Sequence, residues 1–147
     1  MYKRFLDKVV IVTGSGSGIG ERTAQRFAEE GAKVVIAELD KKTGQFVEEN
    51  INKKNNRSKF FETDVSDFNS VSEMVNNTVK HFGPPDVLIN NAGINVFSEP
   101  LKMSETEWKR AFSVDLDGVW YGCKAVLPHM LEKGKGSIVN ISSVHGF

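Results

Sequence analysis

The residues best suited to chemistry fall into five short stretches. The first is Thr13-Gly14-Ser15-Gly16-Ser17-Gly18-Ile19-Gly20. Glycine allows a backbone to approach a ligand closely. A helix starting here would present unpaired N–H groups and its positive dipole end to an anion. The spacing is T-G-x-x-x-G-x-G. A G-x-G-x-x-G fingerprint would need glycine at position 19, where Ile19 stands, and no Lys-Ser/Thr pair follows the last glycine as in a P-loop. Taken alone, the stretch is weak evidence, and a tight turn with no ligand is the lesser alternative.

Glu38 stands 18 positions after Gly20, near the spacing of an acid that binds an adenosine ribose. A carboxylate accepts from both ribose hydroxyls and repels a 2′-phosphate. Two unit charges ~4 Å apart repel by about 1 kcal/mol in water and about 4 kcal/mol near a protein surface. Ser17 offers no cation to offset this, although Lys41 and Lys42 are near in sequence, so NAD is favoured over NADP. Asp64-Val65, Asn90-Asn91-Ala92-Gly93 and Ser142-Ser143 complete the set. Asn90 and Asn91 could also be plain turn formers, and the serines plain capping residues.

The elements around these stretches place them together. Val9-Val10-Ile11-Val12 reads as a strand buried on both faces. A helix over 18–30 follows, with Ile19, Thr23, Phe27 and Ala28 as its buried stripe and Gly31 as its stop. Strands are expected at 33–37, 59–61, 87–89 and 137–141. A polar helix is expected over 43–51, with Phe46, Val47 and Ile51 inward, and a solvated turn at 53–56. A third helix, over 67–81 and capped by Ser66 or Asp67, carries the stripe Val71, Met74, Val75 and Val79. After a loop at 94–103, Ser104 and Glu107 form a capping box, and a long helix spans about 115–133. Strand and helix alternate five times, which implies a parallel sheet covered on both faces. Ligands of such sheets sit beyond the carboxyl ends of the strands. Every candidate stretch follows a strand at that edge.

Composition agrees with one domain over residues 1–147. The 19 basic and 19 acidic residues are interspersed, which argues against nucleic acid as a partner. No apolar run approaches a membrane span. The single cysteine, Cys123, reads as core packing and suggests a reducing, cytoplasmic compartment. His81 and His129 read as solvated. Trp108, Phe112, Trp120, Val126 and Met130 form helical stripes suited to packing or subunit contacts.

Together, Thr13-Gly14-x-x-x-Gly18-Ile19-Gly20, Asp64-Val65, Asn90-Asn91-Ala92-Gly93 and Ile138-Val139-Asn140-Ile141-Ser142-Ser143 resemble the short-chain dehydrogenase/reductase family, in the family's order and across the chain. The resemblance implies a doubly wound Rossmann-type α/β sheet of order 3-2-1-4-5, with the C-terminal strands outside this chain. It implies a pyrophosphate site at Gly14, Ser17, Gly18, Ile19 and Gly20, with Glu38 on the adenosine ribose. Asp64 and Val65 would meet adenine, and Asn90, Ala92 and Gly93 would back the nicotinamide-side ribose. Ser143 would bond the oxygen of an alcohol or ketone substrate, with Ser142 the runner-up. Hydride exchange with NAD, and a homodimer or homotetramer paired through the long helix, are also implied.

Two departures stand out. Asp115 occupies a position where the family usually has asparagine near a proton-relay water. An aspartate only accepts hydrogen bonds. It could do the same work with altered pH dependence, or merely stabilise the start of the long helix. The family's Tyr-x-x-x-Lys acid/base pair is also absent from these 147 residues. Tyr2 and Tyr121 lie upstream of Ser143, and Ala125 stands four positions after Tyr121. His145, close to Ser143, reads as a substrate-loop residue. The expectation is a dehydrogenase sequence cut short, with a non-catalytic nucleotide-binding module as the alternative. A sheet ending at its fifth strand is expected to leave an open edge and bare apolar surface.

Overall fold

The computed structural model describes residues 3–143. His145 and Tyr2 lie outside them. Strand β1 (Val9–Thr13) is buried at every position. It is flanked by β2 (Lys33–Glu38) and β4 (Val87–Asn90), with β3 (Ser58–Glu62) and β5 (Ser137–Asn140) outermost. All pairings are parallel, in the order β3-β2-β1-β4-β5. This is the Rossmann-type order that the resemblance implies.

The period-two alternation of strand side chains divides the core into two layers. Val10, Val12, Val34, Ile36, Val87 and Ile89 face one side. There they meet Ala24 and Ala28 of α1 (Gly18–Glu29) and Val47 and Ile51 of α2 (Lys41–Asn55). Ile11, Val35, Ala37 and Leu88 face the other side. They pack on Val71, Met74 and Val75 of α3 (Phe68–Phe82) and on Val126 and Met130 of α5 (Gly118–Glu132). Burial of both faces explains why the central strands read as unbroken apolar runs.

Several local expectations need correction. Ile19 is 67% exposed, and the buried stripe of α1 is Gly20, Ala24 and Ala28. Phe46 is 59% exposed, because Gly44, Val47 and Ile51 hold the inward face of α2. Residues 53–55 are the last turn of α2, with Lys53 and Lys54 solvated as expected but helical. The helix ends at Asn56, whose left-handed φ of 48° closes it. Asp67 caps α3 by accepting from the Asn69 N–H, while Ser66 turns back to Asp64. Thr78 joins the buried stripe of α3, where Val79 is only half-buried.

Ser104 and Glu107 do form the capping box, at the start of α4 (Glu105–Phe112). The expected long helix is α5, which begins at Gly118, three residues past Asp115. It is joined to α4 through a π-helical turn, Ser113–Asp117. The outer face of this helical run bears Trp108, Leu116 and Trp120, each more than half exposed. The β5 edge is exposed too, including Val139.

Candidate functional site

The strand registers bring every candidate stretch to one rim. Thr13 pairs with Ala37, Glu38 with Glu62, Val12 with Ile89, and Asn90 with Asn140. Each turn that follows therefore leaves the sheet at its carboxyl edge. Past β5, the Ile141 N–H donates to the Asn90 carbonyl at 2.9 Å, which keeps the segment holding Ser142 and Ser143 beside the end of β4.

The glycine turn is shaped by close approach. Gly14 has a φ of +61°, and its missing Cβ would lie 2.7 Å from Ala92 Cα. At Gly20 a Cβ would lie 2.2 Å from the Gly14 carbonyl oxygen and 2.5 Å from Asn91 Nδ2. The first turn of α1 is thus pressed directly onto the loop before it. Gly18 has a φ of +56° with open space above it. Ser17 stands at the N-cap of α1 yet makes no side-chain capping bond. The amides that open α1 are therefore left to another partner. Ser15 is turned inward, with Oγ donating to the Val12 carbonyl at 2.8 Å.

Thr13 and Asn91 tie the glycine turn to the turn after β4. Thr13 Oγ1 accepts the N–H groups of Asn91 and Ala92, both at 3.0 Å. Asn91 Nδ2 donates to the carbonyls of Thr13 and Gly14, at 2.9 and 3.1 Å. Asn90 lies differently. It is 4% exposed, and its Nδ2 donates to Asn140 Oδ1 at 2.9 Å, below the rim. Asp64 Oδ1 accepts from the N–H and hydroxyl of Ser66, at 2.9 and 2.6 Å. Asp115 sits in the π turn, with Oδ1 accepting the Ile94 N–H at 2.9 Å. It holds the start of the loop that follows Gly93.

These parts enclose a cleft of about 830 Å³, within the usual range for a small-molecule or cofactor site. Its walls include Gly14, Ser17, Gly18, Ile19 and Gly20 on one side and Glu38, Asp64 and Val65 on another. Ala92 and Gly93 close the third side. Ile19 is exposed because it forms part of this wall. Asn90 and Ser143 are not among the wall residues. Arg110 and Ser113 are, although sequence reading did not select them. The signal for both was faint: Arg110 lies just before the π turn and Ser113 opens it, and nothing in helical periodicity reveals a π turn.

A family model described as short chain dehydrogenase matches residues 8–147. The chain belongs to the short-chain dehydrogenase family. Among its relatives, the meso-2,3-butanediol dehydrogenase of Serratia marcescens is 44% identical over 143 residues, covering 97% of this chain and 56% of that protein. Glucose 1-dehydrogenase 2 of Bacillus subtilis is 38% identical over 148 residues, covering 99% of this chain and 57% of that enzyme. The crystal structure of gox2181 superposes with a TM-score of 0.94 at 31% identity, covering 97% of this chain and 56% of that one. The chain therefore spans a little over half the length of the short-chain dehydrogenase relatives that it matches.

Proposed function

We propose that residues 1–147 form the dinucleotide-binding part of an NAD-dependent oxidoreductase that interconverts a secondary alcohol and a ketone. One observation carries this reading: the glycine turn, Glu38, Asp64 and the turn after β4 surround a single cleft. A dinucleotide fits what these residues offer. The bare backbone at Gly18 and the uncapped start of α1 suit a pyrophosphate, with the Ser17 hydroxyl beside them. Glu38 accepts from the adenosine ribose and disfavours a 2′-phosphate. Asp64 and Val65 receive adenine. Ala92 and Gly93 leave room beneath the nicotinamide-side ribose, and Asn90 supports that turn from below.

When bound, the nicotinamide would supply the hydride chemistry. The chain's own contribution is to orient the substrate and order the site. Ser143 bonds the substrate oxygen. Asp115 holds the Ile94 amide, and so the substrate-side loop. An acid/base residue equivalent to the family's Tyr-x-x-x-Lys tyrosine would come from outside these 147 residues. The butanediol and glucose dehydrogenases among the relatives favour a polyol, sugar-like or small ketone substrate. The exposed face of Trp108, Leu116 and Trp120 favours a homodimer or homotetramer. The lone cysteine fits a cytoplasmic setting, and among the described residues no helix is long and apolar enough to cross a membrane.

Isothermal titration with NAD and NADP tests the reading. Tighter binding of NAD is expected, and loss of the difference in Glu38→Ala. Equal affinity for both cofactors, or none for either, overturns it. Binding of NAD by a full-length protein that oxidises no alcohol would favour the non-catalytic alternative.

A further inference from the structure

Glu38 does more than end β2. Its Oε2 accepts the Gly16 N–H at 2.9 Å, and its Oε1 accepts the N–H groups of Leu39 and Asp40 at 2.8 and 3.1 Å. The carboxylate thus hooks the middle of the glycine turn to the end of the neighbouring strand. The hook requires a bare backbone at position 16. A Cβ there would lie 2.6 Å from Glu38 Cγ, 2.9 Å from Cδ and 2.5 Å from Thr43 Oγ1. Thr43 is poorly placed to yield. Its N–H donates to Asp40 Oδ1 and its hydroxyl to the Asp40 carbonyl, at 2.9 and 3.1 Å, in the first turn of α2.

We infer that Gly16 is a specificity-determining position for the nucleotide, acting through Glu38. The missing side chain lets Glu38 fold over the turn, which fixes the carboxylate where the adenosine ribose is read. A carboxylate has about four acceptor sites, so the three amides leave capacity for a ribose hydroxyl. A side chain at position 16 displaces the carboxylate and frees the Gly16 N–H, a donor that suits a 2′-phosphate. The inference rests on the NAD reading above and adds one statement to it: the acid and the glycine are a coupled pair. Glu38→Ala removes both the Cγ and the carboxyl carbon that a side chain at position 16 would meet, and the turn can relax into that space away from Thr43, so coupling is lost in that background.

The test is a double-mutant cycle on the full chain, with Gly16→Ala and Glu38→Ala made singly and together. Affinities for 5′-ADP and 2′,5′-ADP are read by calorimetry. Gly16→Ala is expected to weaken 5′-ADP binding about ten-fold beside Glu38 but less than about two-fold in the Glu38→Ala background, a coupling typical of residues in contact. The ratio of 2′,5′-ADP to 5′-ADP affinity rises only in the first case. Equal losses in both backgrounds overturn the inference and leave the NAD reading intact. A parent chain that binds neither nucleotide overturns both. Amide exchange in the nucleotide-free parent gives a readout that needs no variant to fold. The Gly16 N–H is expected to be protected there, and exchange at the rate of an open loop overturns the hook.

Discussion

Thr13 offers the sharpest test of how the rim is held. Its hydroxyl is 3% exposed with the rest of the residue, and it accepts two amides from the turn after β4, both at 3.0 Å. Thr13→Val keeps the shape and removes the acceptor. A buried donor left unpaired costs about 1–3 kcal/mol. Asn91 and Ala92 are half-buried, so water recovers part of the loss for each. The sum is about 2–3 kcal/mol. With a urea slope of about 2 kcal/mol/M, the unfolding midpoint falls by about 1 M. Thr13→Ser retains the acceptor and loses only a methyl group, at about 1 kcal/mol. Urea unfolding followed by far-UV circular dichroism compares the three proteins. Amide exchange should localise the change to Asn91 and Ala92. A valine variant within about 0.2 M of the parent, or no less stable than the serine variant, refutes the argument that these two bonds secure the turn.

Three further outcomes are expected. Burial opposes ionisation of Asp86, but the Lys133 ammonium at 2.7 Å and the Val9 N–H at 2.9 Å outweigh it and hold the carboxyl below its usual range. Because the folded pKa lies below the unfolded value of about 3.9, this contribution is present above that pH and is lost as pH falls through the folded pKa. The midpoint of the parent should therefore drop more steeply below pH ~4 than that of Asp86→Asn. Gly20→Ala should destabilise by about 1–3 kcal/mol despite a helix-propensity gain of up to ~1 kcal/mol, because its Cβ meets a backbone carbonyl; a thermal melt no lower than the parent's contradicts this. Leu116→Glu with Trp120→Glu should reduce concentration-dependent association in sedimentation velocity, and unchanged association would exonerate that face.

Much of this fold was legible because its signals are redundant. The three central strands are built on apolar runs that stop at a glycine or a polar residue, and the alternation of strand and helix dictates parallel pairing. The rim assignments followed from that geometry alone. The misread faces of α1 and α2 share one cause, the weight given to large apolar side chains. Phe46 and Val47 are adjacent, and neighbours on a helix point about 100° apart, so only one could face inward. Gly44 decided which, since it lies flat against the Phe60 ring, where a Cβ would come within 2.4 Å of the ring carbons. In α1, likewise, the buried positions are Gly20, Ala24 and Ala28, and Gly20 lies so close to the Gly14 carbonyl that no side chain fits there. Glycine and alanine leave little imprint on a hydrophobic pattern. The burial of Asn90 was invisible for another reason: its partner, Asn140, is 50 positions away in sequence.

The π turn at Ser113–Asp117 also sets an alignment between two surfaces. Removing one residue from a helix rotates everything on one side of the deletion by about 100° relative to the other. A single-residue deletion within 113–117 would let the chain run as one uninterrupted α-helix, at the cost of swinging Arg110 away from the cleft while Trp120 stayed in place. The wider turn acts as a phase corrector: it lets Arg110 line the cleft while Leu116 and Trp120 face outward.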